Sequence, residues 1–327
     1  MKRFKNILCV VDPLRVCKPT MIRAATLAKN NQAKLTVIDV VEPVTAGIGM
    51  PEGGPISENL QTVIVNDHRQ KLEIELESYR KQIEIKTDVL VGTPFLEIIR
   101  EVLRNERDLV IKATEHQHWL DRLFGSDDMH LLRKCPCPVW LIKRQAPSTH
   151  RCILAAVDAG EIYLPDEQKS RDILNRQILN MASSVALSDF AELHVVHVWD
   201  AVGESALRNS GFMMRQENEV TAYVEKVRQY HAACFDRLIT EITTNFGQDA
   251  IDYLKPKVHL VKGWAREEVP VLASQIEADL IVMGTVARTG ISGFFMGNTA
   301  ETILNQIDCS VLAIKPPGFL TPVTLEA

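Results

Sequence analysis

The run GTVARTGISGFFMGNTAE, Gly284 to Glu301, holds four glycines in eighteen residues between a strand-like and a helix-like segment. A turn of this kind can cradle an anion. Glycine lets a backbone N–H approach without a Cβ in the way, and the first N–H groups of a helix have no partner inside it. Gly297, Asn298 and Thr299 would open a helix through AETILNQI, so their N–H groups are the candidates for phosphate. Arg288 could pair with a phosphate oxygen or be a solvated loop charge. Asp158, at the end of ILAAVD, is a carboxylate at a strand end. The plain alternatives are a loop that only turns the chain and an aspartate that only caps a turn.

Other clusters carry weaker chemistry. His116, His118, Asp127, Asp128 and His130 are metal-ligating types without a strict ligand spacing. His194 and His197 lie three apart on an expected strand and so point to opposite faces, which argues against one shared metal site. Cys135 and Cys137 flank a proline with no partner pair nearby, a poor fit to zinc or redox chemistry. No nucleophile elbow, Walker lysine loop or zinc-hydrolase helix occurs, so catalysis at most extends to slow hydrolysis of a bound phosphate compound, and no catalytic residue is nominated.

These residues need a frame, and the chain's bulk properties limit it. With 327 residues and 46% apolar content, two ordinary domains are expected. A net charge of -5, with no basic stripe, argues against a nucleic-acid partner. No apolar run approaches the roughly 18 residues that span a bilayer, so no membrane partner is expected. The start shows no signal-peptide pattern, and seven cysteines without one suggest reduced thiols and a cytoplasmic location.

Comparing the chain with itself reveals a duplication. KNILCVVDP returns as RCILAAVDA, placing Asp12 over Asp158 at an offset of 146. LTVIDVV returns as LHVVHVW at 158, Gly92 matches Gly263 and RDLVIKA matches ADLIVMG at 171, and CPVWLIK matches CSVLAIK at 172. Each copy reads as five short apolar strands, near 6–11, 35–41, 84–91, 108–112 and 138–143 in the first. Helix-period segments lie between them; in SRDILNRQILNMASSVAL, Ile173, Leu174, Ile178, Met181 and Val185 share a face. The fold class is therefore α/β: two tandem, doubly wound, five-stranded parallel-sheet domains. Domains are expected at 1–146 and 150–317, with a tail at 318–327. The segments Glu42 to Gln61 and Asp200 to Glu219 read as long loops, either lids or disorder. Ligands in such sheets bind beyond the carboxyl ends of the strands, which singles out Asp12, Asp158 and the glycine loop.

A strand-one aspartate, DLIVMG and a glycine loop closing on GNTAE together resemble the ATP-binding branch of the universal stress protein family, in a tandem-domain arrangement covering nearly the whole chain. The resemblance implies the adenine nucleotide alpha hydrolase-like fold and an internal pseudo-dimer. It implies a nucleotide site in the second half. There Asp158 would lie near adenine or ribose, the Val198 backbone and Met283 would meet the base, Gly284 would fill the first glycine position, and Gly297, Asn298 and Thr299 would hold phosphate. Ala287 stands where the family has its second glycine, a departure that leaves ATP open against another nucleotide. ATP is the expected ligand, with Mg²⁺ accompanying the phosphates. The first half departs further: Ala113 and His116 replace glycines, and Asp127 and Asp128 bring negative charge to the phosphate position, so this half is expected to be a degenerate partner domain without ATP.

The leading function is then a stress-response nucleotide-binding protein acting through unknown protein partners, as a monomeric pseudo-dimer or a homodimer. The alternatives are an enzyme or carrier for a nucleotide-linked metabolite, and a ligand-independent scaffold. In the last, the edges VWLIK and VLAIK would join the two halves or build a further dimer.

Overall fold

The computed structural model describes residues 4–44, 55–115, 126–160, 165–209, 217–246, 252–285 and 296–325. The first half runs β1 (Asn6–Val10), α1 (Lys18–Asn31), β2 (Lys34–Val41), α2 (Pro55–Arg80), β3 (Ile85–Val91), α3 (Pro94–Asn105), β4 (Leu109–Ala113), α4 (Ser126–Lys134) and β5 (Val139–Ile142). The second runs β6 (Cys152–Val157), α5 (Pro165–Asp189), β7 (Glu192–Trp199), α6 (Glu204–Asn209), α7 (Glu217–Phe246), β8 (Lys257–Lys262), α8 (Ala265–Gln275), β9 (Leu280–Gly284), α9 (Asn298–Leu304) and β10 (Ser310–Ile314).

All ten of these strands form one sheet in the order β3-β2-β1-β4-β5-β10-β9-β6-β7-β8. Neighbours within each half are parallel, and the chain reverses winding direction between β1 and β4 and again between β6 and β9. The halves join where β5 and β10 pair antiparallel, with Leu312 opposite Trp140. The two edge segments thus meet each other inside this one chain. No helix among the described residues is long and apolar enough to cross a membrane.

Strands that are apolar at nearly every position are covered on both faces. Alternation sends Ile7, Cys9, Trp140, Ile153 and Leu312 into one core and Leu8, Val110, Val139, Ile281 and Val311 into the other. The first core lies under α1, α2, α5 and α7, the second under α3, α4, α8 and α9. In α5, Leu174, Ile178 and Val185 are buried, whereas Ile173 is 40% exposed. One residue step turns a helix by about 100°, and Ile173 falls on the flank of the apolar stripe. The two expected long loops are shorter than read, because α2 already begins at Pro55, and α6 and the start of α7 fall within the second.

The duplication extends to unusual backbone angles. Gln32 (φ 53°) and Phe190 (φ 58°) both end their helices left-handed, as do Glu106 (φ 49°) and Glu277 (φ 52°). Gly92 (φ 156°) and Gly263 (φ 145°) share a conformation that side chains avoid. A Cβ on Gly263 would sit 2.6 Å from Glu268 Oε1, and one on Gly92 would sit 2.6 Å from Glu97 Cγ.

Polar clasps tie the halves together. Arg23 of α1 forms a two-pronged ion pair with Asp189 at the end of α5 (2.8 and 2.6 Å), with both side chains almost fully buried. Its guanidinium also donates to Ser148 O (3.0 Å) and lies 5.1 Å from the Trp140 ring. On the opposite face Arg133 of α4 meets Glu301 of α9 at 2.5 Å.

Candidate functional site

In the second half, parallel pairing of β6 with β9 sets Ala156 beside Met283, so the residues that follow, Asp158 and Gly284, emerge at the same edge of the sheet. Val198 lies on the neighbouring strand β7, opposite Val261 of β8. Gly297 returns the glycine-rich loop to this edge by donating its N–H to Thr285 O (3.1 Å). No side chain caps α9, and Asn298 and Thr299 are exposed at its start. The structure thus brings Asp158, Gly284 and Gly297 to Thr299 to one end of adjacent strands. Met283, by contrast, is 3% exposed and packs inward with Ile281, Met296 and Ala300. Ala287 and Arg288 lie outside the described residues.

Asp158 is held by neighbours that the sequence did not single out. Asn175 of α5 clasps its main chain, accepting from Asp158 N–H (3.1 Å) and donating to Asp158 O (2.6 Å). Arg171, one turn earlier, pairs with the Asp158 carboxylate and with Glu167 (3.2 Å). The Asp158 side chain is nevertheless 44% exposed. Leu174 packs onto Gly284 so closely that a Cβ there would lie 2.7 Å from Leu174 Cδ2. This glycine therefore has a packing reason as well as any ligand reason.

All three contacts come from the amino-terminal turns of α5, which is 25 residues long where its counterpart α1 has 14. The sequence held a signal for this: the repeat offset grows from 146 to 158 between the first and second strand matches, an insertion of 158 − 146 = 12 residues. That insertion becomes extra helix lying over the strand ends.

Beneath Asp158, the Ala159 N–H donates to His197 Nδ1 (3.3 Å), and His197 Nε2 lies 2.9 Å from His231 Nδ1 of α7. Burial holds both imidazoles below the ordinary histidine pKa, partly offset by the negative charge of Asp158. His194 makes a separate pair with His259 of β8 (2.9 Å). The two pairs lie on opposite faces of the sheet, as alternation requires. No group of three or more metal-ligating side chains with suitable placement occurs among the described residues.

The first half contrasts with this arrangement. With no helical extension over it, the end of β1 opens on a cavity of about 290 Å³ whose wall includes Asp12, Asp39, Lys112, Glu115 and Asp127. Asp12 Oδ1 accepts the Leu14 N–H (2.8 Å). Asp128 is fully buried; one carboxylate oxygen meets Lys112 Nζ (2.6 Å) and the other accepts the Glu115 N–H (2.9 Å). His116, His118 and Gly125 lie outside the described residues. His130 stacks on Phe95 with ring centres 4.6 Å apart. Cys135 and Cys137 are buried with their sulfurs 3.6 Å apart.

The chain is thus two copies of one α/β unit joined through β5 and β10, with Gly297 held at the strand ends of the second. The family model of the universal stress proteins matches residues 3–143 and again 174–315. The chain belongs to the universal stress protein family. Its members serve the stress response, and this chain is a tandem member with that fold. It is 30% identical to universal stress protein E of Salmonella typhi over 336 residues, covering 100% of this chain and 99% of the relative. It is 29% identical to universal stress protein E of Escherichia coli K12, covering 100% and 98%. Among solved structures, a putative universal stress protein from Pseudomonas aeruginosa UCBPP-PA14 superposes with a TM-score of 0.64 at 26% identity, covering 96% of this chain and 94% of that one.

Proposed function

We propose that the second half of this universal stress protein binds ATP or a related nucleotide and that the bound state alters its contacts with other proteins in the cytoplasm. The observation that carries the reading is the meeting of Asp158, Gly284 and the Gly297 to Thr299 return at one end of β6 and β9, next to the point where the winding direction reverses. Asp158 supplies a carboxylate acceptor for a ribose or base donor. The N–H groups of Asn298 and Thr299 supply donors for phosphate, and Arg171 brings positive charge to the same edge. Asn175 keeps the Asp158 main chain in place while the ligand comes and goes. Mg²⁺ would accompany the phosphates; in this reading the protein's own residues bind and orient rather than perform a chemical step.

Calorimetric titration with ATP, in the presence of Mg²⁺, tests this. Binding at one site per chain that weakens at least tenfold in Asp158→Ala, with Asp12→Ala unchanged, supports it. Equal binding by wild type and Asp158→Ala, or no binding, contradicts it.

A further inference from the structure

We propose that the buried His197–His231 pair is a proton-sensitive clasp on the second-half site. With both rings neutral it holds the Asp158 to Gly160 turn in place for a ligand; a proton added to either ring releases the turn and weakens binding. That the ligand is a nucleotide rests on the reading above, whereas the clasp stands on hydrogen bonds and their donors.

The register of the sheet builds the contact. Val157, the last residue of β6, lies beside His197 of β7, so the turn that follows Val157 passes over the His197 ring. The Ala159 N–H donates to His197 Nδ1 (3.3 Å), and His197 Nε2 meets His231 Nδ1 of α7 (2.9 Å). A Cβ on Gly160 would lie 3.5 Å from His231 Cε1 and 3.7 Å from Asp158 Oδ1. Ala159 thus rests on one ring and Gly160 on the other.

The chain of donors admits one arrangement of protons. A backbone N–H can only donate, so His197 Nδ1 is bare and the ring proton sits on Nε2. That proton points at His231 Nδ1, which is bare in turn. An added proton therefore faces a donor: the Ala159 N–H if it lands on His197, the His197 N–H if it lands on His231. Burial keeps both rings neutral against the pull of Asp158. The Val157 carbonyl favours a protonated His197 and supplies the acceptor for that released state.

Other charged and titratable groups surround the pair. Asp158 acts on it from β6 and is itself paired with Arg171 of α5. On α7, Tyr230 meets His231 edge-on at 5.5 Å, and the buried thiol of Cys234 lies one turn further along. Lys262 of β8, paired with Glu204 (2.5 Å), reaches the Trp199 ring that stacks on His231.

The duplication supplies a contrast. Asp39 stands at the position of His197 and also pairs with a histidine of the long helix that follows, His68 of α2 (2.6 Å). Pro13 stands at the position of Ala159 and has no N–H to give. Both halves bury a side-chain pair at this level, and in the second the residue after the strand-end aspartate can donate to it.

The test combines NMR of ¹⁵N-labelled full chain with calorimetric titration by ATP and Mg²⁺, both between pH 7.5 and pH 5.0. At pH 7.5 both rings are expected to be neutral with the proton on Nε2, and the Ala159 amide to be protected from hydrogen exchange. Protection should fall as the rings take up protons below the ordinary histidine value of about 6.5. ATP affinity should fall with it, by about fivefold or more beyond the loss in His197→Asn, whose side-chain oxygen accepts the Ala159 N–H without titrating. Protonation of ATP itself cancels in that comparison. A proton on His197 Nδ1 at pH 7.5, Ala159 protection indifferent to histidine protonation, or equal pH loss in wild type and His197→Asn overturns the proposal. ATP bound at neither pH overturns the nucleotide reading instead, and the wild-type NMR result then decides the clasp, as it does if the variant fails to fold.

Discussion

Replacing Arg23 by methionine should cost the protein about 3 kcal/mol, and the size follows from the surroundings of its partner. Arg23 and Asp189 have side chains only 4% and 3% exposed, so neither charge can fall back on water. Removing one partner of a buried pair generally costs about 3–5 kcal/mol, because the other charge stays buried. Asp189 would still accept the His150 N–H (2.7 Å), which places the cost at about the low end of that range. Methionine preserves the stem packing over Trp140, so the loss reports the charge and not the volume. In urea, with a slope of about 3 kcal/mol/M, the midpoint should fall by about 1 M. Asp189→Leu alone should be similarly harmful. The double variant Arg23→Met/Asp189→Leu should recover most of the loss, since apolar replacement of a whole buried pair is often neutral. A cost below about 1 kcal/mol for Arg23→Met, or a double variant equal to the sum of the singles, would refute the reasoning.

Gly263→Ala should destabilise by about 1–3 kcal/mol in thermal or urea unfolding, because it combines φ 145° with a 2.6 Å approach to Glu268 Oε1; a neutral result would show that the turn relaxes freely. Lys315 is almost wholly buried, bonded to Leu132 O and Thr285 Oγ1 (2.7 Å), and burial lowers its pKa to about 7. The unfolded chain, with an ordinary lysine, binds more protons above that value, so this group's contribution to stability should rise with pH from about 7 to about 10.5. The slope is at most about 1.4 kcal/mol per pH unit, and Lys315→Met should remove it. An unchanged slope in that variant would assign the effect elsewhere. Native protein should show at most one promptly reactive thiol of seven towards Ellman's reagent, since Cys152 alone is half-buried and its thiol is pushed up to about 11 by burial and by Asp279 and Glu192. Two or more prompt thiols would contradict the packing.

The fold was legible because strands covered on both faces leave uninterrupted apolar runs, and because a duplication repeats them in order. The placing of Asp158 and Gly284 at one edge of the sheet was legible, because both follow directly on strands whose order the repeat gives. The role of Arg171, Leu174 and Asn175 was not, because it depends on how far α5 reaches beyond its counterpart α1, and helix periodicity alone does not say what the extra turns lie over. The 12-residue step in the repeat offset was the available sign. Met283 packs inward, and a strand end alone does not reveal which face its last side chains take. The lock of Asp128 on Lys112 and the Glu115 N–H joins residues 13 to 16 apart, a pairing that no local pattern announces.

The most direct test of the central claim is photolabelling with 8-azido-ATP followed by peptide mapping of the modified chain. The account predicts labelled peptides from the strand ends and return of the second half, around Asp158, Val198 and Gly284 to Thr299, with labelling abolished by excess ATP and by Asp158→Ala. Labels confined to the first-half strand ends, around Asp12 and Ala113, or no ATP-protected label at all, would contradict it.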